Sequence, residues 1–93
     1  MDKQTKITKV RVDKWLWAAR FFKTRSLAKA AIEGGKVQLE GQRVKVSREI
    51  AIGDRLTIRQ GWDEKDITVR SLSDQRGPAS RAQELYEESV ESI

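Results

Sequence analysis

The side chains with chemistry to offer in this sequence are cations. Arg11, Lys14, Arg20, Lys23, Arg25, Lys29, Lys36, Arg43, Lys45 and Arg48 all fall in the first half of the chain. Lys23 and Arg25 flank Thr24, which is suited to cap a helix, where free backbone N–H groups and the positive end of the dipole already favour a phosphate. Lys29 follows one turn after Arg25 on the same side, and Lys36 emerges just past the expected helix end. Cations spaced this way track successive phosphates rather than closing one pocket. Each neutralised phosphate then steepens the salt dependence, with a slope near −0.9 for duplex DNA and about −0.7 for single strands. Base or shape selectivity would need Gln38, Gln42, Thr24 or an exposed aromatic.

Catalytic chemistry has little to work with. Cysteine and histidine are both absent, which removes disulfides, the usual zinc ligand sets and every nucleophile or base scheme built on them. Glu33, Asp54 and Asp63 are the acids available for proton transfer. Each sits beside a turn or helix end with no suggested partner, so solvated or capping carboxylates explain them better. The expectation is a protein that is no enzyme and takes no cofactor, metal or small-molecule substrate.

The net charge is +5 over 93 residues, and its distribution is uneven. Residues 1 to 48 hold 13 Lys/Arg against 4 Asp/Glu, whereas residues 49 to 93 hold 6 against 10. That split suits a polyanion met by one face, with an acidic C-terminal segment kept away from it or folded against it. A solvated lysine-rich surface would give the same count, so charge alone leaves both readings open. No apolar run approaches the ~20 residues that span a bilayer, and MDKQTKITKV lacks the apolar stretch of a secretory signal. A soluble, cytoplasmic protein without a membrane partner is expected.

The elements that must position these cations follow from spacing. Residues 1–10 offer only Ile7 and Val10 to bury and suggest a flexible basic arm. From Val12 a helical stripe of Val12, Trp15, Leu16, Ala19 and Phe22 appears, with Lys14, Trp17 and Phe21 on the far side. Trp17 and Phe21 are then either a base-stacking platform or a second core seam, and a seam would need the C-terminal segment as its cover. Thr24 opens a second, short helix with apolar positions Leu27, Ala28, Ala30, Ala31 and Ile32, which Gly34-Gly35 can end. Val37 and Leu39, the turn Glu40-Gly41 and Arg43 to Val46 read as a hairpin. Ile50 to Ile58 reads as another turn and strand, and Ile67 to Leu72 as a further strand after a polar turn from Gly61 to Asp66. After Gly77-Pro78, Ser80 can cap an acidic helix carrying Ala82, Leu85, Tyr86 and Val90.

The fold class expected is α+β. Two short N-terminal helices pack on a small antiparallel or mixed sheet of four to five strands, with a C-terminal helix added. One domain is expected, organised as a flexible basic arm (1–10), a nucleic-acid-binding unit (11–58), a strand extension of its sheet (59–76) and an acidic helix (77–93).

The stretch RVDKWLWAARFFKTRSLAKAAIEGGKVQLEGQRV, residues 11 to 44, resembles the RNA-binding domain typified by small-subunit ribosomal protein S4, the αL motif. The matching features are Arg11-Val12-Asp13, the Thr24-Arg25-Ser26 helix start, the small-residue helix ending in Ile32, Gly35-Lys36-Val37, the Gly41 turn and Ile52-Gly53-Asp54. Each is weak alone, but the order and spacing are specific. WLWAARFFKTR, the later Arg59 to Gly61, and Gly77 to Ser80 before ELYEES narrow the resemblance to the fifteen-kilodalton heat-shock protein family. It covers nearly the whole chain from Arg11.

That resemblance implies an RNA-binding protein that associates with ribosomal RNA on the free large ribosomal subunit. The subunit in question carries a nascent chain on tRNA after premature dissociation, so the implied role is rescue or recycling without catalysis. It also implies an RNA surface at Arg11, Lys14, Lys23, Arg25, Ser26, Lys29 and Lys36, with Arg43 and Lys45 as further positions. A monomer is expected. Asp13 and Asp54 are assigned to structure, as a first-turn helix charge and a turn residue. Two departures stand out: Glu40 replaces the family's usual Asn before Gly41, and Val46 replaces its usual Pro. The family tends to continue into a Lys/Arg-rich tail, whereas this sequence stops at Ile93, as a short form or a truncated one.

Two alternatives come from other classes. This RNA-binding unit is often appended to pseudouridine synthases, RNA methyltransferases and tyrosyl-tRNA synthetases, so the chain could be the targeting piece of an RNA-modifying enzyme. It could also be a protein-interaction module that works through its acidic helix. Salt-dependent RNA affinity separates the second of these from an RNA binder.

Overall fold

The computed structural model describes residues 9–73 and 75–88. Strand β1, Val10–Arg11, leads directly into helix α1, Val12–Ala18. β1 pairs antiparallel with β4, Glu49–Ile50, matching Val10 to Ile50, and Val10 is buried. The expected flexible arm therefore stops short of Val10, and its first eight residues lie outside the described ones. In α1 the stripe Val12, Trp15, Leu16 and Ala19 is buried as its spacing predicts. The helix ends sooner than expected. Arg20 adopts φ 65°, and Arg20 N and Phe21 N donate to Trp17 O and Leu16 O at 3.1 and 3.0 Å. This pair of bonds closes the helix in a Schellman turn. Phe22 falls past the helix and is half-buried rather than completing the stripe.

Helix α2, Arg25–Glu33, starts where Thr24 Oγ1 accepts from Leu27 N at 3.1 Å. Ala28, Ala31 and Ile32 are buried, and the two small alanine side chains let α2 lie close against α1. Leu27 and Ala30, expected in the same stripe, face outward instead, with Leu27 51% exposed. The helix closes as α1 does. Here Gly35 takes the positive φ, 78°, and Lys36 N donates to Ala31 O at 2.9 Å.

Strands β2 (Val37–Leu39), β3 (Gln42–Arg43), β5 (Arg55–Gln60), β6 (Asp63–Val69) and β7 (Tyr86–Glu88) form one antiparallel sheet in the order β3-β2-β5-β6-β7. Alternation buries Val37, Leu39, Leu56, Ile58, Ile67 and Val69 in a core shared with Trp15, Leu16 and Ile32. Glu40 and Gly41 both have positive φ, 52° and 82°, as a two-residue type I′ hairpin requires. The strand after that turn is shorter than expected, ending at Arg43 rather than Val46. The next hairpin is tighter than the sequence suggests. Gln60 pairs with Asp63 across Gly61-Trp62, so Asp63 to Asp66, expected in a polar turn, belong to β6. Pairing with the long strand β5 recruits these poor strand formers, helped by Thr57 Oγ1 donating to Asp66 Oδ1 at 2.8 Å.

The C-terminal segment corrects the expected acidic helix over 77–93. A single helical turn, α3 at Ala79–Ala82, passes into a 3-10 turn at Gln83–Leu85 and then into β7. Pro78, not Ser80, takes the capping position, and no side chain caps it. β6 would otherwise present an unpaired edge of N–H and C=O groups, and β7 fills it with Val69 opposite Tyr86 and Ile67 opposite Glu88. Helical spacing in Ala82, Leu85 and Tyr86 yields to that pairing. Residues 89–93 of the expected helix lie outside the described ones. The segment nonetheless covers the aromatic seam. Leu85 is in the core, and the Tyr86 ring lies 4.6 Å from that of Phe21, which in turn is 6.1 Å from Trp15.

Candidate nucleic-acid interface

Where α1 packs on α2, one carboxylate organises two of the expected contact residues. Asp13 is fully buried. Its Oδ1 accepts from Arg11 Nε at 3.1 Å and from Lys14 N at 2.8 Å, and its Oδ2 accepts from Arg25 Nη2 at 3.2 Å and Arg11 Nη2 at 3.3 Å. The Arg11 and Arg25 side chains remain 44% and 38% exposed. Two guanidiniums thus share one negative charge and leave a net cation at the surface. Arg25 Nε is shielded from solvent and has no partner among the described residues. Charge-assisted bonds of this kind fix direction as well as distance. The role expected for Asp13, a first-turn helix charge, is only part of what it does.

The lysines behave differently. Lys23, Lys29, Lys36 and Lys45 are exposed and Lys14 is partly exposed, and none of the five makes an ion pair among the described residues. Ser26 is exposed on the first turn of α2, beside the amides that helix geometry leaves without intrahelical acceptors.

Two further cations border this face by different routes. Arg43 Nη2 donates to Glu33 O at 2.9 Å, at the end of α2, and its guanidinium lies 3.2 Å from where a Cβ on Gly35 would stand. Arg43 is therefore committed in part to closing the helix. Lys45 belongs to the loop that ties down the start of α1: Val12 N donates to Arg48 O at 2.8 Å, and Arg48 N to Lys45 O at 2.9 Å. Arg43, Lys45 and Arg48 line a shallow depression there of about 290 Å³. Arg48 was not among the expected contact residues. Only the pairing of β1 with β4 brings it beside Arg11, opposite Glu49 in the register.

Away from this face three arginines are paired with neighbouring acids. Arg70 pairs with Glu87 at 3.1 Å, Arg59 with Glu64 at 3.8 Å and Arg81 with Glu84 at 3.8 Å. The acids weighed for proton transfer are likewise structural or solvated. Asp54 Oδ2 accepts from Ala51 N at 2.8 Å, while Glu33 and Asp63 are exposed. A depression of about 410 Å³ between α1 and the 71–85 segment is lined by Arg76, Arg81 and Leu85 among others, and by none of the expected RNA-contact residues. Among the described residues no group of three or more His, Cys, Asp or Glu side chains could hold a metal ion. No helix of the described residues is long and apolar enough to cross a membrane.

The S4 domain model matches residues 10–56, the span from β1 into β5. Heat shock protein 15 of Escherichia coli K12 is 53% identical over 91 residues, covering 98% of this chain and 68% of that protein, so the chain spans about two thirds of its relative's length. The RQC P-site tRNA stabilizing factor of Bacillus subtilis is 35% identical over 65 residues, 70% of this chain and 76% of its own. Among solved structures, the trimeric heat shock protein 15 of Vibrio cholerae superposes with a TM-score of 0.87 at 57% identity, covering 90% of this chain and 85% of that one. That trimer leaves the expectation of a monomer without support. The chain belongs to the S4-domain proteins and, among them, to the heat shock protein 15 family.

Proposed function

We propose that this protein binds ribosomal RNA through the face built by α1, the start of α2 and the 43–48 loop, and that it does so on the free large ribosomal subunit. Its work there is rescue or recycling of a subunit left with a nascent chain on tRNA. The single observation that carries the reading is the unbalanced charge of this face. Five lysines that make no ion pair among the described residues accompany two arginines that share one buried carboxylate. A ribosome-related role is supported by the family, and a tRNA-linked one by the name of the Bacillus relative. Arg11, Lys14, Lys23, Arg25, Ser26, Lys29 and Lys36 are the contacts proposed, with Arg43 and Lys45 at the margin. The trimeric Vibrio relative supports self-association as a companion property. A protein with this partner works in the cytoplasm.

Sedimentation with separated ribosomal subunits tests the reading. Wild-type protein is expected to travel with the large subunit at low salt and to leave it as salt rises. The Lys23→Ala/Arg25→Ala/Lys29→Ala variant should lose on the order of 100-fold in affinity for ribosomal RNA fragments, with a shallower salt slope. Binding to neither subunit would defeat the ribosomal part of the reading, and unchanged affinity in the triple variant would move the RNA site elsewhere.

A further inference from the structure

Trp62 is fully exposed, at 103% of its reference area, in a chain whose other two tryptophans are buried or partly buried. It is the second residue of the two-residue turn between β5 and β6. Gly61 supplies the positive φ of 62° at the first position, the arrangement of a type II′ hairpin. An indole held in such a turn has no core to enter.

The place of this turn matters more than its exposure. Two hydrogen bonds tie the end of the hairpin to the residues that bracket α2. Arg59 N donates to Lys36 O at 2.8 Å, just after the helix, and Gln60 Nε2 donates to Phe21 O at 2.6 Å, two residues before Lys23. Lys65, opposite Ile58 on β6, lines a depression of about 190 Å³ together with Arg20, Phe21 and Gln60. The exposed indole thus stands at the tip of a hairpin tied through Arg59 and Gln60 to the backbone of Lys36 and Phe21, beyond the 10–56 span of the S4 match.

We infer that Trp62 is a stacking site for an unpaired RNA base, next to the phosphates held by the α2 face. The inference rests on the RNA-binding reading and extends its surface onto the β5–β6 hairpin. A nucleobase fits the surroundings better than a protein surface does. Among the described residues the other exposed large hydrophobics are Leu27 on α2 and Ile52 in the turn before β5, so Trp62 has no contiguous apolar patch of the kind that forms the core of a protein interface. An exposed aromatic beside a phosphate-neutralising face is the pattern of base stacking, and with Asp63 and Glu64 next to the indole and Arg59 paired to Glu64, backbone neutralisation falls to the α2 face. The pairing of Gln60 with Asp63 leaves Gly61 and Trp62 alone in the turn.

The test compares a stem-loop RNA with an unpaired loop against a fully paired duplex of equal phosphate count, for wild type, W62A, W62F and the Lys23/Arg25/Lys29 triple alanine variant. W62A should lose roughly 5- to 150-fold in affinity for the stem-loop and much less for the duplex, with its salt slope unchanged. W62F should retain part of the loss, and the stem-loop should quench a tryptophan emission that W62F lacks. Stem-loop affinity within twofold of wild type in W62A overturns the inference, as does an equal loss on both RNAs. If W62A is unchanged while the triple variant loses affinity, only the hairpin site fails. If wild type binds neither RNA, the RNA reading fails with it. A Trp62-dependent change confined to oligomeric state would assign the residue to a protein contact and also overturn it. Because the side chain touches no core residue, both substitutions leave the fold intact.

Discussion

The α1–α2 face and the paired arginines of the sheet and C-terminal segment treat their charge in opposite ways. On β5, just past β6 and in α3, Arg59, Arg70 and Arg81 each face an acid of their own within 4 Å. On the helical face one buried carboxylate is divided between Arg11 and Arg25, and the lysines of that face make no ion pair among the described residues. The first region is close to neutral pair by pair, whereas the second keeps its field. A chain of modest net charge can therefore present a strongly basic surface, because neutralisation is local.

The largest effect that would sharpen this contrast is on Asp13. Asp13→Ala should cost about 2–3 kcal/mol, less than a fully buried pair because both guanidiniums keep solvent access, and lower the melting temperature by roughly 10–20 °C. Thermal unfolding by circular dichroism measures it, and a loss under 1 °C would reduce Asp13 to a solvated helix charge. Next comes Tyr86→Ala, which removes the ring over Phe21. A loss of about 1–2 kcal/mol is expected, with the salt slope of RNA binding unchanged, since the covering strand contributes no contact. A changed slope would extend the RNA surface to that strand. The smallest effect belongs to the paired region. Arg70→Ala should alter stability by no more than about 0.5 kcal/mol and RNA affinity by less than about twofold, against a several-fold loss for Lys29→Ala. Equal losses in these two variants would erase the contrast between the regions.

What the sequence showed and what it hid divide along the range of the signal. Thr24, Gly34-Gly35 and Glu40-Gly41 announce a helix start, a helix stop and a hairpin turn by local chemistry, and all three are where they should be. β7 could not be read, because Tyr86 to Glu88 look helical locally and become a strand only by pairing with Ile67 to Val69 of β6, 17 to 21 residues earlier. The start of β6 was hidden for the same reason. In the site, residue type alone picked out the cations, whereas their commitments depend on packing. Nothing local tells that Arg25 will meet a carboxylate 12 residues back, or that Arg43 will reach the carbonyl of Glu33, 10 residues away.

The segment that follows β6 is lashed to α1 at three points. Trp15 Nε1 donates to Ser71 O at 3.0 Å, Arg76 Nε to Trp17 O at 3.1 Å and Arg20 Nε to Gly77 O at 2.9 Å. The S4 match meanwhile ends at residue 56, inside β5. The unit of sequence similarity is therefore not a unit that could be excised. Cutting there would sever a strand from its own second half and remove the acceptor of the buried Trp15 indole N–H. Any attempt to graft the RNA-binding face onto another protein has to carry the lashing with it.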